Sequence, residues 1–180
     1  EWYRKAAVQG YAPAQSNLGV TYRRGEGVPQ DDVKAAEWYR RAADQGNPEA
    51  QSNLAGMYHR GLGVPQDEEK EAEWYRKAAD QGYAEAQSNL GGMYRWGLGV
   101  PQDHVKAVEW YRKAADQGNP EAQCNLGAMY LRGWGVPQDS ERAVELSRKA
   151  ADQGYAEAQS NLGFIYDRGE GVPQDSEKAV

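Results

Sequence analysis

The chain repeats itself every 36 residues: Trp2, Trp38, Trp74 and Trp110 fall one period apart with Leu146 next, and the same step links Leu18, Leu54, Leu90, Leu126 and Leu162. A fixed period of this length predicts a solenoid. A single unit is too small to bury its own apolar face, so units must stack on their neighbours and together form one continuous surface of the kind that binds other molecules. Composition is best read through the repeat. A mean hydropathy of -0.94 with 27% charged residues resembles a disordered chain, but twelve Tyr and six Trp argue otherwise. A few large aromatics per unit supply most of the buried area a thin two-layer array needs, at roughly 25 cal/mol per Å².

One repeat shows the local logic. Asn47 is a good helix N-cap, Pro48 suits the first helical position because its missing N–H would be unpaired there, and Glu49 complements the helix dipole. Ala50, Leu54, Met57 and Tyr58 then share one face, and Gly61 ends the segment, so a helix A is predicted over about 47–60. The connection Gly61 to Asp67 holds two glycines and a proline, with Val64 as its expected anchor. Asp67 caps a helix B over about 67–81, with Ala72, Trp74, Tyr75, Ala78 and Ala79 on its apolar face, Glu73 and Lys77 paired outside, and Gly82 as its stop. The other units predict helix A over about 11–24, 83–96, 119–132 and 155–168, and helix B over about 31–45, 103–117 and 139–153. Gly19, Gly91 and Gly127 follow the core leucine in mid-helix, where glycine costs about 1 kcal/mol. Close approach of the two helices is the expected compensation.

The domain organisation is one array over 1–180: a partial helix B at 1–10, repeats at about 11–46, 47–82, 83–118 and 119–154, and a partial repeat at 155–180. The chain opens on the second half of a unit and closes on the first half of one, which reads as a piece of a longer array. Its ends are expected to expose apolar surface such as Trp2. Val180 followed by Glu1 would continue a helix B, so end-to-end association of copies is expected.

The string carried by Ala86, Leu90, Gly91, Tyr94, Gly97, Gly99, Val100, Asp103, Ala107, Trp110, Tyr111, Ala114, Ala115 and Gly118 resembles the Sel1-like repeat, a relative of the tetratricopeptide repeats. Leu146 and Ser147 depart from it in place of Trp-Tyr, and Glu71 in place of Ala. The resemblance implies an all-α, right-handed α-solenoid of antiparallel helix pairs, with helix A on the concave side, acting as a non-enzymatic adaptor for proteins. Some cysteine-rich relatives are associated with penicillin binding or β-lactamase activity. With the single cysteine Cys124, this chain does not fit that disulfide-stapled branch.

Function classes narrow further by exclusion. A net charge of -6 offers no field for nucleic acid, and no apolar run approaches the roughly 20 residues of a membrane span. No nucleophile or phosphate-loop motif is present. His59, His104 and Cys124 do not make a metal set, so no metal or cofactor is expected. Cys124 replaces Ser16, Ser52 and Ser88 of other units and reads as a small filler. The asparagines Asn53, Asn89 and Asn125 recur in every helix A, where they satisfy a neighbouring backbone or, by tetratricopeptide analogy, grip a bound peptide. The positions that vary most between units include His59, Arg60, Arg95, Trp96, Leu131 and Arg132, which the same analogy turns to the groove, and Trp134 and Glu170 in the loops. These nine residues of helix A are the candidate peptide-binding set, and an extended acidic segment is the expected ligand. A cell-wall binder and a purely structural spacer are the alternatives.

Overall fold

The computed structural model describes residues 2–169 and 173–175. Ten helices and no strand occur among them: α1 (Trp2–Val8), α2 (Ala12–Arg24), α3 (Asp32–Asp44), α4 (Pro48–Arg60), α5 (Glu68–Asp80), α6 (Ala84–Trp96), α7 (His104–Asp116), α8 (Pro120–Arg132), α9 (Ser140–Asp152) and α10 (Ala156–Arg168). The even-numbered helices are helix A and the odd-numbered ones helix B, each starting and stopping within a residue or so of its predicted bounds. Glu170, any helix beyond Asp175 and the continuation from Val180 to Glu1 lie outside the described residues.

The expected caps set these boundaries. Asn47 and Asn119 accept from the backbone N–H of Ala50 and Ala122 at 2.8 Å. Asp31, Asp67, Asp103 and Asp139 accept from the third N–H of their helices at 3.0 Å. Side-chain and backbone hydrogen bonds from Lys34 and Lys70 hold the Asp31 and Asp67 carboxyls below the usual carboxylate range. Lys77 and Glu73 pair at 2.7 Å, as their spacing predicts.

The chain forms two compact units, one of Glu1–Ala86 with Leu98–Pro101 and the other of Gln87–Gly97 with Gln102–Val180. Inside each, the packing of helix A on helix B follows one rule. The tyrosine after Trp38, Trp74 and Trp110 is a core residue: Tyr39 is fully buried, Tyr111 almost so and Tyr75 buried together with Trp74, while Trp38 and Trp110 are only half-buried and the Trp2–Tyr3 pair of α1 is exposed. The mid-helix glycine makes room for that ring. A Cβ on Gly19 would lie 2.6 Å from Tyr39, and one on Gly91 2.7 Å from Tyr111. Close helix approach is therefore what these glycines supply.

Three contacts recur at the seams between successive repeats. The second loop glycine sits against the first turn of the preceding helix B: a Cβ on Gly63 would overlap the Asp32 carbonyl, on Gly99 the Glu68 carbonyl, and on Gly135 the His104 carbonyl. A buried helix A glutamine bonds in two directions. Gln51 Nε2 donates to the Ala43 carbonyl of the helix before it, and Gln51 Oε1 accepts from Gln81 at the end of the helix after it; Gln15 does the same with Ala7 and Gln45, and Gln123 with Ala115 and Gln153. Third, a helix B arginine donates to the next helix A tyrosine hydroxyl, as Arg4 does to Tyr22, Arg40 to Tyr58, Arg112 to Tyr130 and Arg148 to Tyr166.

Candidate functional site

The first unit carries Asn53, His59 and Arg60. Asn53 is half-buried, and both others are exposed. Arg60 Nε donates to the Gly56 carbonyl at 3.1 Å and so serves the end of its own helix. His59 Nδ1 lies 3.1 Å from Glu71 Oε2. Burial raises the Glu71 carboxyl above its ordinary range, and the hydrogen bond from His59 pulls it back. This pair was legible in principle, because the same repeat departs from its neighbours at both places. His59 stands where other repeats have Arg23 and Arg95, and Glu71 where they have Ala35 and Ala107.

The second unit holds the other six candidates. Asn89 is half-buried, Trp96 is 58% exposed, and Arg132 is exposed. Arg95 is instead buried to 9% exposure. Its Nη1 donates to Asn125 Oδ1 at 2.9 Å, and its guanidinium lies 4.5 Å from the Trp96 ring and 5.6 Å from the Trp134 ring. It also sits beside the Tyr111 hydroxyl, whose pKa burial pushes up to about 12. Trp134 is accounted for by its neighbours, stacking on His104 at 5.2 Å with Arg132 at 4.7 Å. Arg95, Asn125, Leu131 and Arg132 line one open pocket of about 370 Å³ between α8, α9 and α10.

Cys124 also lines this pocket and is free and buried. The exchange with serine is explained at its counterparts, since Ser16 and Ser88 are buried with no hydrogen-bond partner for Oγ among the described residues. A thiol at that place loses no hydrogen bond, and Asn161 Nδ2 approaches its Sγ at 3.3 Å. Burial pushes the thiol pKa up to about 11. The thiolate is the reactive form, so at pH 8 a disulfide reagent is expected to modify the folded protein at least tenfold more slowly than the urea-unfolded chain. Equal rates in the two states would contradict this environment.

Among the described residues no three His, Cys, Asp or Glu side chains come together to hold a metal, and no helix is long and apolar enough to cross a membrane. What the second unit offers is a concave pocket with guanidinium, amide and aromatic groups around it.

The Sel1 repeat pattern matches the chain over residues 1–11, 12–47, 48–83, 84–119, 120–155 and 156–180. No curated protein matches it. Among solved structures, c5321, a protective antigen of uropathogenic Escherichia coli strains with an SLR fold, is 46% identical with a TM-score of 0.92, over 99% of this chain and 38% of that one. This chain thus spans well under half of that protein. A Sel1 repeat protein from Oxalobacter formigenes is 36% identical with a TM-score of 0.91, over 95% and 68% of the two chains. Immunity protein Pa5087 from Pseudomonas aeruginosa is 28% identical with a TM-score of 0.63, over 93% and 62%.

Proposed function

The chain belongs to the Sel1 repeat family, whose members are generally protein-interaction scaffolds, and from that premise we propose that it is a non-enzymatic scaffold binding an extended acidic segment of a partner along helix A of the second unit. The observation that carries this reading is the meeting of Arg95, Asn125, Leu131 and Arg132 around one open pocket, with the exposed Trp96 ring beside Arg95. Arg132, exposed on the lining, suits a carboxylate, the Asn125 amide N–H left over from its bond with Arg95 suits a backbone carbonyl, and Trp96 is an exposed aromatic of the kind that anchors interfaces. The name of the immunity protein from Pseudomonas aeruginosa is consistent with a protein partner.

A segment that orders on a shallow surface loses much of its contact energy to entropy, so Kd is expected on the order of micromolar and rising with salt. Selection of a displayed peptide library on the intact chain is expected to return segments rich in Asp and Glu. Arg132→Ala and Trp96→Ala each then weaken binding about tenfold with the helical circular dichroism unchanged. Affinity unchanged in both variants moves the site off this face of helix A.

A further inference from the structure

The fourth repeat breaks the packing rule of the other three at the second unit's pocket. One period on from Tyr39, Tyr75 and Tyr111 stands Ser147. The residues that surround the tyrosine elsewhere have their counterparts here. Gly127 corresponds to Gly19 and Gly91, against which the Tyr39 and Tyr111 rings lie. Ala128 corresponds to Gly92, where a Cβ would lie 3.5 Å from the Tyr111 hydroxyl. Leu131 corresponds to Arg23 and Arg95, which sit beside the Tyr39 and Tyr111 hydroxyls. Gly127, Ala128, Leu131 and Ser147 all line the pocket of about 370 Å³. In the fourth repeat the Ser147 Oγ and the Ala143 carbonyl come within 3.1 Å of a Cβ on Gly127, so α9 itself covers that glycine, while the pocket beside it stays open with a volume in the range of about 300–1,000 Å³ typical of ligand sites.

The polar groups there are not all satisfied. Arg95, more than nine-tenths buried and part of the lining, has no acceptor for Nε among the described residues. Ser147, 3% exposed, brings a hydroxyl to the same space. Small walls, a buried hydroxyl and a donor without an acceptor match an aromatic ring that ends in an oxygen better than an aliphatic chain. Arg132 on the lining adds a positive group for a carboxylate next to that ring.

We propose that the pocket between α8, α9 and α10 receives a tyrosine side chain from an acidic segment of a protein partner, which takes up the room left beside Ser147, where the other three repeats carry Tyr39, Tyr75 and Tyr111. The partner rests on the scaffold reading above; the pocket's fit to a phenol ring does not.

The test begins with p-cresol, the tyrosine side-chain analogue, titrated into the isotope-labelled chain and followed by NMR. Saturable shifts confined to α8, α9 and α10 are expected, with Kd on the order of a millimolar for so small a ligand, and toluene several-fold weaker. Ser147→Tyr restores the chain's own ring; it is expected to raise Tm and to weaken p-cresol at least tenfold. Ser147→Leu fills most of the same space and is expected to do likewise should the tyrosine variant not fold. The peptide Ac-Glu-Glu-Tyr-Glu-Glu-amide is expected to bind at least tenfold tighter than p-cresol, and to lose that gain in Arg132→Ala. Absence of saturable shifts, undiminished binding by the filled variants, or toluene as tight as p-cresol overturns the pocket. The same peptide with alanine for tyrosine binding equally well leaves the scaffold reading intact and overturns the tyrosine site. Saturable p-cresol binding with no gain from the peptide overturns the assignment to a protein partner.

Discussion

Gly63→Ala is expected to destabilise the protein by about 3 kcal/mol, whereas the same change at Gly27, its counterpart one repeat earlier, costs about 1. Both residues have positive φ, 66° and 73°, so both substitutions force an alanine into the left-handed region, a penalty of roughly 1–2 kcal/mol. They differ in what surrounds them. Nothing lies within 4 Å of a Cβ on Gly27, but one on Gly63 overlaps the Asp32 carbonyl and crowds Val33 N at 2.7 Å. Backbone cannot swing aside as a side chain can, so the loop must lift off the first turn of α3, at a further cost of roughly 1–3 kcal/mol. The difference between the two urea midpoints isolates the seam contact. Equal losses at the two positions would show that backbone conformation alone matters there.

Tyr39→Ala is expected to cost about 3–5 kcal/mol, the range for removing a large buried ring. Its coupling to Gly19 is the sharper measurement. In the native background Gly19→Ala places a Cβ 2.6 Å from the Tyr39 ring and is expected to cost about 1–2 kcal/mol. The second repeat shows why the figure is modest. Ala55 takes the glycine's place there, and Tyr75 is still 92% buried, at 8% exposure. In the Tyr39→Ala background the obstacle is gone, and Gly19→Ala should become neutral or favourable by up to about 1 kcal/mol through helix propensity. A double-mutant cycle by urea unfolding checks it, and additive effects would mean that the glycine is not there for the ring.

Nearly all of the helix layout was legible in the residues, because its signals are local. Asn47, Pro48, Asp67 and Gly82 act through backbone groups within a few residues of themselves, and no tertiary context intervenes. The buried polar contacts were not legible in this way. Asparagine and glutamine recur equally in every helix A, and periodicity places Asn53 and Gln51 only two residues apart without saying which one turns inward. The structure buries the glutamine, at 4% exposure, and leaves the asparagine half-buried. Arg95 shows the same limit. Its place near the end of a helix reads as an exposed cation, while Asn125, Trp96 and Trp134 enclose it from positions up to 39 residues away. Ser147 was visible as a departure from the pattern, but a departure becomes a pocket only when the neighbours fail to close over it.

The two-way bonding of Gln15, Gln51 and Gln123 also bears on how such a chain can change its length. In each case one amide joins a carbonyl behind it to another glutamine ahead, with the same spacing of 8 and 30 residues. Both faces of a repeat therefore carry the same connectors. An in-frame gain or loss of 36 residues inside one unit would present each new junction with the partners that the old one had, and no compensating substitution would be required. Arrays of this kind can lengthen or shorten by recombination at the level of the coding sequence, while an ordinary globular core, where every element has a unique neighbour, cannot.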